Sequence, residues 1–329
     1  MDAKIYDAIL THHLYFERYE KHVTNEFKKI FKILYTRTIS ELNNEEITTN
    51  NQKRLLAFLK NIKTFEEEFS LKTSAKISEF IDEFVLYETE AEPFLLKEAM
   101  PDGVDIVGFT AEKLAAATSE YMQTGQTIAG MFSALEKSTL DFISKESAIG
   151  FLNGETTPQI IRRLKDREMV SDRHLSSTVR TSLNHIANQA RRIIGQENSD
   201  VVKYVQWVSS LDFRTSDICR YRDNKKYKLN EKTPFPPAHI NCRSTVVYIT
   251  YFDDLENEAP RAALGGGVDS KANYYDFLKR QKKSVIEDVL GKERAQLFFS
   301  GKLKGEQLHA RDGKMLSIDE LKIKFKELF

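Results

Sequence analysis

The sequence predicts an α+β fold with a mainly helical N-terminal half, a small α+β domain with a short sheet, and a helical C-terminal extension. Apolar residues in the first half recur at steps of three and four, which is the period of a helix. Residues 201–208 and 244–252 are β-branched and aromatic, as strands are, and are expected to pair. These patterns divide the chain into 1–149, 150–252 and 253–329, the last beginning with a linker.

Glycine and proline place the expected helix boundaries. Pro93 and the Pro-Asp-Gly sequence at 101–103 are expected to interrupt the helices of the first half. Thr157 followed by Pro158 predicts the start of a long helix, because threonine caps helices and proline suits the first helical position. Gly195 is expected to end that helix. The helical arm before it carries no catalytic grouping, so we expect it to make contacts in an assembly.

Charge divides the chain, although its formal net charge is zero. Residues 41–120 carry 17 Asp and Glu against 8 Lys and Arg, whereas residues 156–246 carry 17 Lys and Arg against 9 Asp and Glu. This pattern indicates either two solvated faces of opposite sign or a basic surface that binds non-specific double-stranded DNA through its phosphates. The candidate phosphate contacts are Arg162, Arg163, Arg180, Arg191 and Arg192.

Apolar runs are short. No stretch of 18 apolar residues occurs, so we expect no transmembrane helix and no membrane partner. The N-terminal residues interleave charged and apolar side chains and lack the apolar stretch of a signal peptide. We therefore expect the chain to start in a cytoplasm, where its two cysteines favour free thiols or metal thiolates over a structural disulfide.

The segment 207–243 is the richest in chemistry, since it holds both cysteines, the only tryptophan and three of the seven prolines. Cys219, His239 and Cys242 are residue types that zinc prefers, and His-x-x-Cys is a usable chelating spacing. The segment is therefore a candidate structural zinc site, which needs four ligands. The candidates for the fourth ligand are Asp212, Asp217, His185 and a water molecule.

Other interpretations of the same residues remain open. The thiols are alternatively small buried hydrophobic groups, or a disulfide in an oxidised particle. Cys242 and His239 also have the types of a nucleophile and its base, although such partners normally come from separate elements. Around them, Arg214 and Arg243 are expected to bind Asp212 or Asp217 and form a buried ionic brace.

Two strings in this segment, WVSSLDFRTSDICR and FPPAHINCRS, carry a family resemblance. They resemble the head morphogenesis domain of tailed-phage minor head proteins, typified by the F protein of bacteriophage Mu. The resemblance covers about residues 150–250. The matching positions are Asp212, Arg214, Thr215, Cys219, Pro236, Pro237, His239, Cys242 and Arg243.

The resemblance implies a virion component rather than an enzyme. Proteins of this kind assemble with the portal and with scaffold and capsid proteins, and some bind DNA. The implied location is the phage head, with the host cytoplasm during assembly. The middle part, 150–252, is then the head morphogenesis domain.

Two alternatives belong to other functional classes. The first is an enzyme domain, either ADP-ribosyltransferase-like or a metal-dependent nuclease, built around the four residues Asp212, Cys219, His239 and Cys242. The sequence does not favour this alternative. It shows no glutamate in a recognisable transferase context and no group of carboxylates typical of a nuclease. The second is a host nucleic-acid-binding protein with no role in a virion.

Overall fold

The computed structural model describes residues 3–44, 51–230, 232–252 and 260–328. Long helices and a small antiparallel sheet make up these residues, which confirms the α+β fold class. The helices are α1 (Ala3–Asn44), α2 (Asn51–Glu98), α3 (Ala111–Ser119), α4 (Ile128–Leu152), α5 (Thr157–Glu197), α6 (Asp217–Arg222), α7 (Tyr274–Lys279), α8 (Lys283–Leu290), α9 (Lys292–Phe299) and α10 (Ile318–Lys324). The strands are β1 (Val202–Val208), β2 (Lys226–Tyr227) and β3 (Thr245–Thr250).

The sheet has the order β2–β1–β3, and both pairs of strands are antiparallel. Val205 in β1 lies opposite Tyr248 of β3 and Tyr227 of β2. The two runs expected to form strands therefore pair with each other. β3 is buried along its whole length, whereas β2 is a short outer strand.

Two compact units divide the chain, and each is assembled from separate segments. Unit 1 consists of Met1–His12, Thr89–Phe109 and Ala187–Phe329. Unit 2 consists of His13–Glu88 and Thr110–Ile186. The helices α1, α2 and α5 each contribute residues to both units.

The domain limits expected from the sequence stay predictions. The limit between residues 149 and 150 falls inside α4. The start of the expected linker, 253–259, lies outside the described residues. The glycine-rich stretch after it forms a closed turn, in which Arg261 and Val268 exchange backbone hydrogen bonds of 2.8 and 2.9 Å.

Unit 2 folds around phenylalanine rings. Phe27 stacks on Phe132 with 5.0 Å between ring centroids and meets Phe80 edge-on at 5.8 Å. Phe31 meets Phe69 edge-on at 4.9 Å. Aromatic pairs of this geometry add about 0.5–1.5 kcal/mol each beyond the burial of their area. The apolar period of the first half therefore reflects a packed helical core.

Unit 1 has two apolar cores. One includes the sheet and both cysteines, with Trp207 and Val246 fully buried at its centre. The other is formed by Leu211 and by residues 260–328, where Tyr274 and Leu278 of α7 are fully buried. The C-terminal extension is thus a packed lobe with its own core. None of the described helices is long and apolar enough to cross a membrane.

Two expected helix boundaries are wrong, and the expected start of α5 is right to within one residue. Pro93 lies inside α2, which continues to Glu98 because the next turn buries Leu96 in the core. Gly195 does not end α5. A Cβ atom at that position would lie 2.9 Å from a methyl carbon of Leu229, so the helix packs closely against that side chain. The α5 helix begins at Thr157, one residue earlier than a cap at that position would place it.

Candidate metal centre

Cys219, His239 and Cys242 come together in unit 1, where one ligand atom of each lies within 4.8 Å of the other two. Cys219 is part of α6, and the other two flank a turn with Asn241 at a φ of 63°. The Cys242 amide donates to the His239 carbonyl at 3.2 Å and closes this turn. Both cysteines are buried free thiols. The residues expected to be ligands are therefore neighbours in space.

The separations of the three ligand atoms fit a tetrahedral metal site. The two Sγ atoms are 3.7 Å apart, and Cys219 Sγ is 3.3 Å from His239 Nε2. Zinc bonds are about 2.3 Å to sulfur and about 2.0 Å to nitrogen. At the tetrahedral angle, these bond lengths place two sulfur ligands about 3.8 Å apart, and a sulfur and a nitrogen ligand about 3.5 Å apart. A disulfide needs sulfurs about 2.05 Å apart. The donor set and its spacing both suit zinc.

The His239 ring is oriented by its other nitrogen. Nδ1 lies 2.8 Å from the Ile240 carbonyl oxygen. Because a carbonyl can only accept, Nδ1 carries the proton and Nε2 faces the sulfurs. Histidine ligands of metals are commonly held by this type of backbone contact.

The two thiols differ in acidity. A hydrogen bond from Cys219 lowers the pKa of the Cys242 thiol well below its usual range, and His239 adds to the effect. The pKa of Cys219 is raised well above its usual range, because it hydrogen-bonds Cys242 and is buried. Burial lowers the pKa of His239, but its hydrogen bond to Cys242 raises it overall. Cys242 therefore favours the thiolate, which is the metal-binding form.

No carboxylate belongs to this group of close donors among the described residues. Asp217 pairs with Arg220 at 3.0 Å, and Asp212 binds a different arginine. Ser216, which the sequence analysis does not single out, has a buried hydroxyl beside Cys219 that favours the thiolate. Its position directly before α6 is the only sequence signal for it. The fourth ligand stays a prediction.

His185 lies in unit 2, in α5, and its side chain is buried. Burial lowers its pKa from 6.5 to about 4, and a hydrogen bond with the Thr118 backbone opposes this only in part. The imidazole is therefore neutral at pH 7 and belongs to the core of that unit.

Unit 2 is expected to lose stability as the pH falls from about 6.5 to about 4, because the unfolded chain protonates His185 before the folded one does. A shift of this size corresponds to about 3 kcal/mol. Urea unfolding followed by helical circular dichroism at pH 7 and pH 4.5 measures the loss. The His185→Gln variant should show a much smaller difference between the two pH values, and an unchanged difference would contradict the assignment.

Asp212 and Arg243 form the expected brace. The guanidinium donates to both carboxylate oxygens, at 2.6 and 2.8 Å. Burial alone would raise the pKa of Asp212, but the hydrogen bond from Arg243 lowers it below its usual value. The Arg214 backbone amide also donates to Asp212 at 3.0 Å, while its exposed side chain lies 3.8 Å away. Arg243 directly follows Cys242, so the brace holds the backbone beside that cysteine.

A second brace joins the C-terminal lobe to the centre. Arg261 donates to the two carboxylate oxygens of Asp223, at 3.0 and 2.8 Å, and both side chains are buried. Asp223 accepts from the Ser209 amide at 2.8 Å, and the Ser209 hydroxyl donates to the Cys219 carbonyl at 2.9 Å. Local sequence patterns do not predict this brace, because Arg261 lies 38 residues from Asp223 in a stretch whose composition is typical of a loop.

The five arginines expected to contact phosphate have different environments. Arg163 pairs with Glu146 and Glu155 at 2.5 and 2.6 Å. Arg180 pairs with Glu20 at 2.8 Å. Arg162 is exposed to solvent. Arg192 is half-buried, and its guanidinium lies 5.9 Å from the centroid of the Phe235 ring.

Arg191 is buried, so the structure corrects its assignment as a phosphate contact. Its Nε donates to Glu92 at 2.8 Å, and it also donates to the Thr245 hydroxyl. Glu92 accepts from the Tyr248 hydroxyl at 3.1 Å, and His12 Nδ1 lies 3.0 Å from the guanidinium. The residue is therefore an internal counter-ion for a buried carboxylate.

The contacts around Cys219, His239 and Cys242 define a cross-braced centre in unit 1. Residues 141–247, about a third of the chain, match the family model described as Phage Mu protein F like protein. The chain thus carries a segment similar to the phage Mu F-like family, which confirms the resemblance carried by the cysteine segment. Comparison with curated proteins and with solved structures gave no match.

Proposed function

We propose that the chain is a minor head protein of a tailed bacteriophage that acts in head morphogenesis without catalysing a reaction. Its contacts would be with the portal and with scaffold and capsid proteins in the assembling head, and with packaged double-stranded DNA. The match of residues 141–247 to the Mu F-like family is the observation that carries this proposal.

The state of the side chains supports a structural role over the enzyme alternative. Cys219 and Cys242 are 1% and 0% exposed, so neither sulfur can reach a substrate in this conformation. Both terminal nitrogens of the Arg243 guanidinium donate to the Asp212 carboxylate, which is therefore not free to act as a general base. His239 faces the thiols through Nε2 and a carbonyl through Nδ1.

We further propose that the centre binds zinc in a structural role. The chain would supply Cys219, His239 and Cys242, and the ion would link α6 to the turn before β3. The spacing of the three ligand atoms supports this choice. A structural ion of this kind adds folding free energy and no turnover.

Head assembly in the producing cell tests the proposed function. A nonsense mutation in the gene should yield no normal, infectious heads, and supplying the wild-type chain should restore them and place it in purified heads. Normal infectious heads that lack the chain would overturn the proposal. For the enzyme alternative, the decisive result is a hydrolysis or transfer activity that His239→Ala abolishes while the melting temperature stays unchanged.

A further inference from the structure

Three exposed lysines of the cysteine segment lie in β2 and shortly after it. Lys226, Lys228 and Lys232 are all exposed there, and we call these three residues the basic edge. Within the described residues, none of the three has a carboxylate at ion-pair distance. Glu231 lies outside the described residues. Asp223, which precedes them in the chain, pairs with Arg261 at 2.8 Å.

Successive side chains from Lys226 to Leu229 point alternately to solvent and to the core, and the lysines are on the solvent side. Tyr227 and Leu229 pack against the core that contains the sheet, so the residues between and beyond them face solvent. In an extended chain, residues two apart on one face are separated by about 7 Å. Lys226 and Lys228 therefore form a row of positive charges on a backbone whose other face is anchored.

The backbone of the basic edge is held at both ends. At one end, β2 pairs with β1, and the Trp207 amide donates to the Lys225 carbonyl at 2.9 Å. At the other, a turn is closed by Thr233, whose hydroxyl accepts from the Asn230 amide at 3.0 Å. A fixed row of charges loses less entropy on binding a polyanion than a mobile one does.

Protection of a sheet edge explains only part of this pattern. Lysine on an outer strand discourages pairing with another chain, and Lys226 in β2 fits that role. Lys228 and Lys232 lie beyond the paired residues of β2, where there is no ladder to protect. A polyanion partner accounts for all three.

We propose that the basic edge binds the phosphate backbone of duplex DNA without reading its sequence. The choice of DNA rests on the proposed function, since a head protein meets packaged duplex. The surface differs from the one expected from the sequence, because Arg163, Arg180 and Arg191 pair with carboxylates. Lysine ammonium groups act as point charges and carry no base specificity.

Fluorescence anisotropy with two 30-bp duplexes of unrelated sequence tests the proposal on the full chain. The wild type should bind both equally and more weakly as salt rises. The triple variant K226Q/K228Q/K232Q should bind at least about tenfold more weakly at low salt. The slope of log affinity against log salt should become shallower by about 2–3, one phosphate contact being worth about 0.9.

A matched variant separates this surface from net charge. Lys60, Lys137 and Lys145 are exposed lysines of unit 2, and K60Q/K137Q/K145Q removes the same charge. It should change the affinity less than twofold. Equal losses in the two triple variants, no loss in the first, or no wild-type binding at low salt would each overturn the proposal.

Two further readouts separate the alternatives. Sedimentation that shows self-association of K226Q/K228Q/K232Q with unchanged DNA affinity would assign the lysines to edge protection. Tighter binding of duplex RNA than of duplex DNA would reject DNA as the partner. The variant K226Q/K228Q/K232Q should still enter heads, so that loss of its DNA binding leaves the assembly role intact. If the wild-type chain fails to enter heads, that result counts against the assembly role alone.

Discussion

The proposed zinc site predicts that a strong chelator lowers the melting temperature of unit 1 by about 10 °C or more. Zinc binding by a Cys and His cluster is coupled to folding and is worth about 10–16 kcal/mol in small peptides. A loss of even about 5 kcal/mol shifts the melting temperature of a 150–250-residue protein by about 10–20 °C. Trp207, the only tryptophan, is fully buried beside the centre in unit 1, so its fluorescence reports this transition.

Cys242→Ala is the matched variant for this experiment. It should melt at a lower temperature from the start, and the chelator should have almost no further effect on it. Elemental analysis of the wild type should find about one zinc per chain. Less than about half an equivalent, with a melting temperature indifferent to chelator, would favour plain buried thiols. A melting temperature lowered by dithiothreitol instead would assign a disulfide.

Arg191→Met is expected to destabilise unit 1 by about 3–5 kcal/mol. The substitution leaves the Glu92 carboxylate buried without its guanidinium, and an uncompensated buried charge costs about that much. Urea unfolding followed by Trp207 fluorescence measures the change. If Arg191 contacted DNA instead, the variant would keep its stability and lose affinity for duplex.

Two further variants isolate the cause. The double variant E92Q/R191M should recover most of the lost stability, because the amide keeps an acceptor for the Tyr248 hydroxyl and carries no charge. Arg192→Met removes a neighbouring guanidinium that is only half-buried and should cost less than about 1 kcal/mol. A double variant as unstable as R191M alone would contradict the ion-pair explanation.

Local signals in the sequence predict the parts of the fold that depend on near neighbours. β1 and β3 follow from β-branched residues, and the His-x-x-Cys spacing places two of the three proposed ligands in one turn. The turn at Gly313, with a φ of 90°, follows from the Asp-Gly pair. Each of these features is determined by residues that lie within about ten positions of one another in the sequence.

Local sequence signals do not predict features that depend on residues far apart in the chain. Arg191 looks like part of a basic surface until Glu92, 99 residues earlier, is placed beside it. Gly195 looks like a helix end until Leu229 packs against it. Pro93 is tolerated within α2 because burial on the following turn offsets the lost hydrogen bond. In each case tertiary packing overrides the local preference.

The order of the segments in unit 1 has a consequence for synthesis. Its first residues leave the ribosome long before Ala187–Phe329, which supply the sheet and most of the core. Until then Thr89–Phe109 exposes apolar side chains such as Leu96, which are buried in the finished protein. This unit can therefore complete its folding only after Ala187–Phe329 has been made, and products of translation interrupted before that point should be substrates for chaperones and proteases.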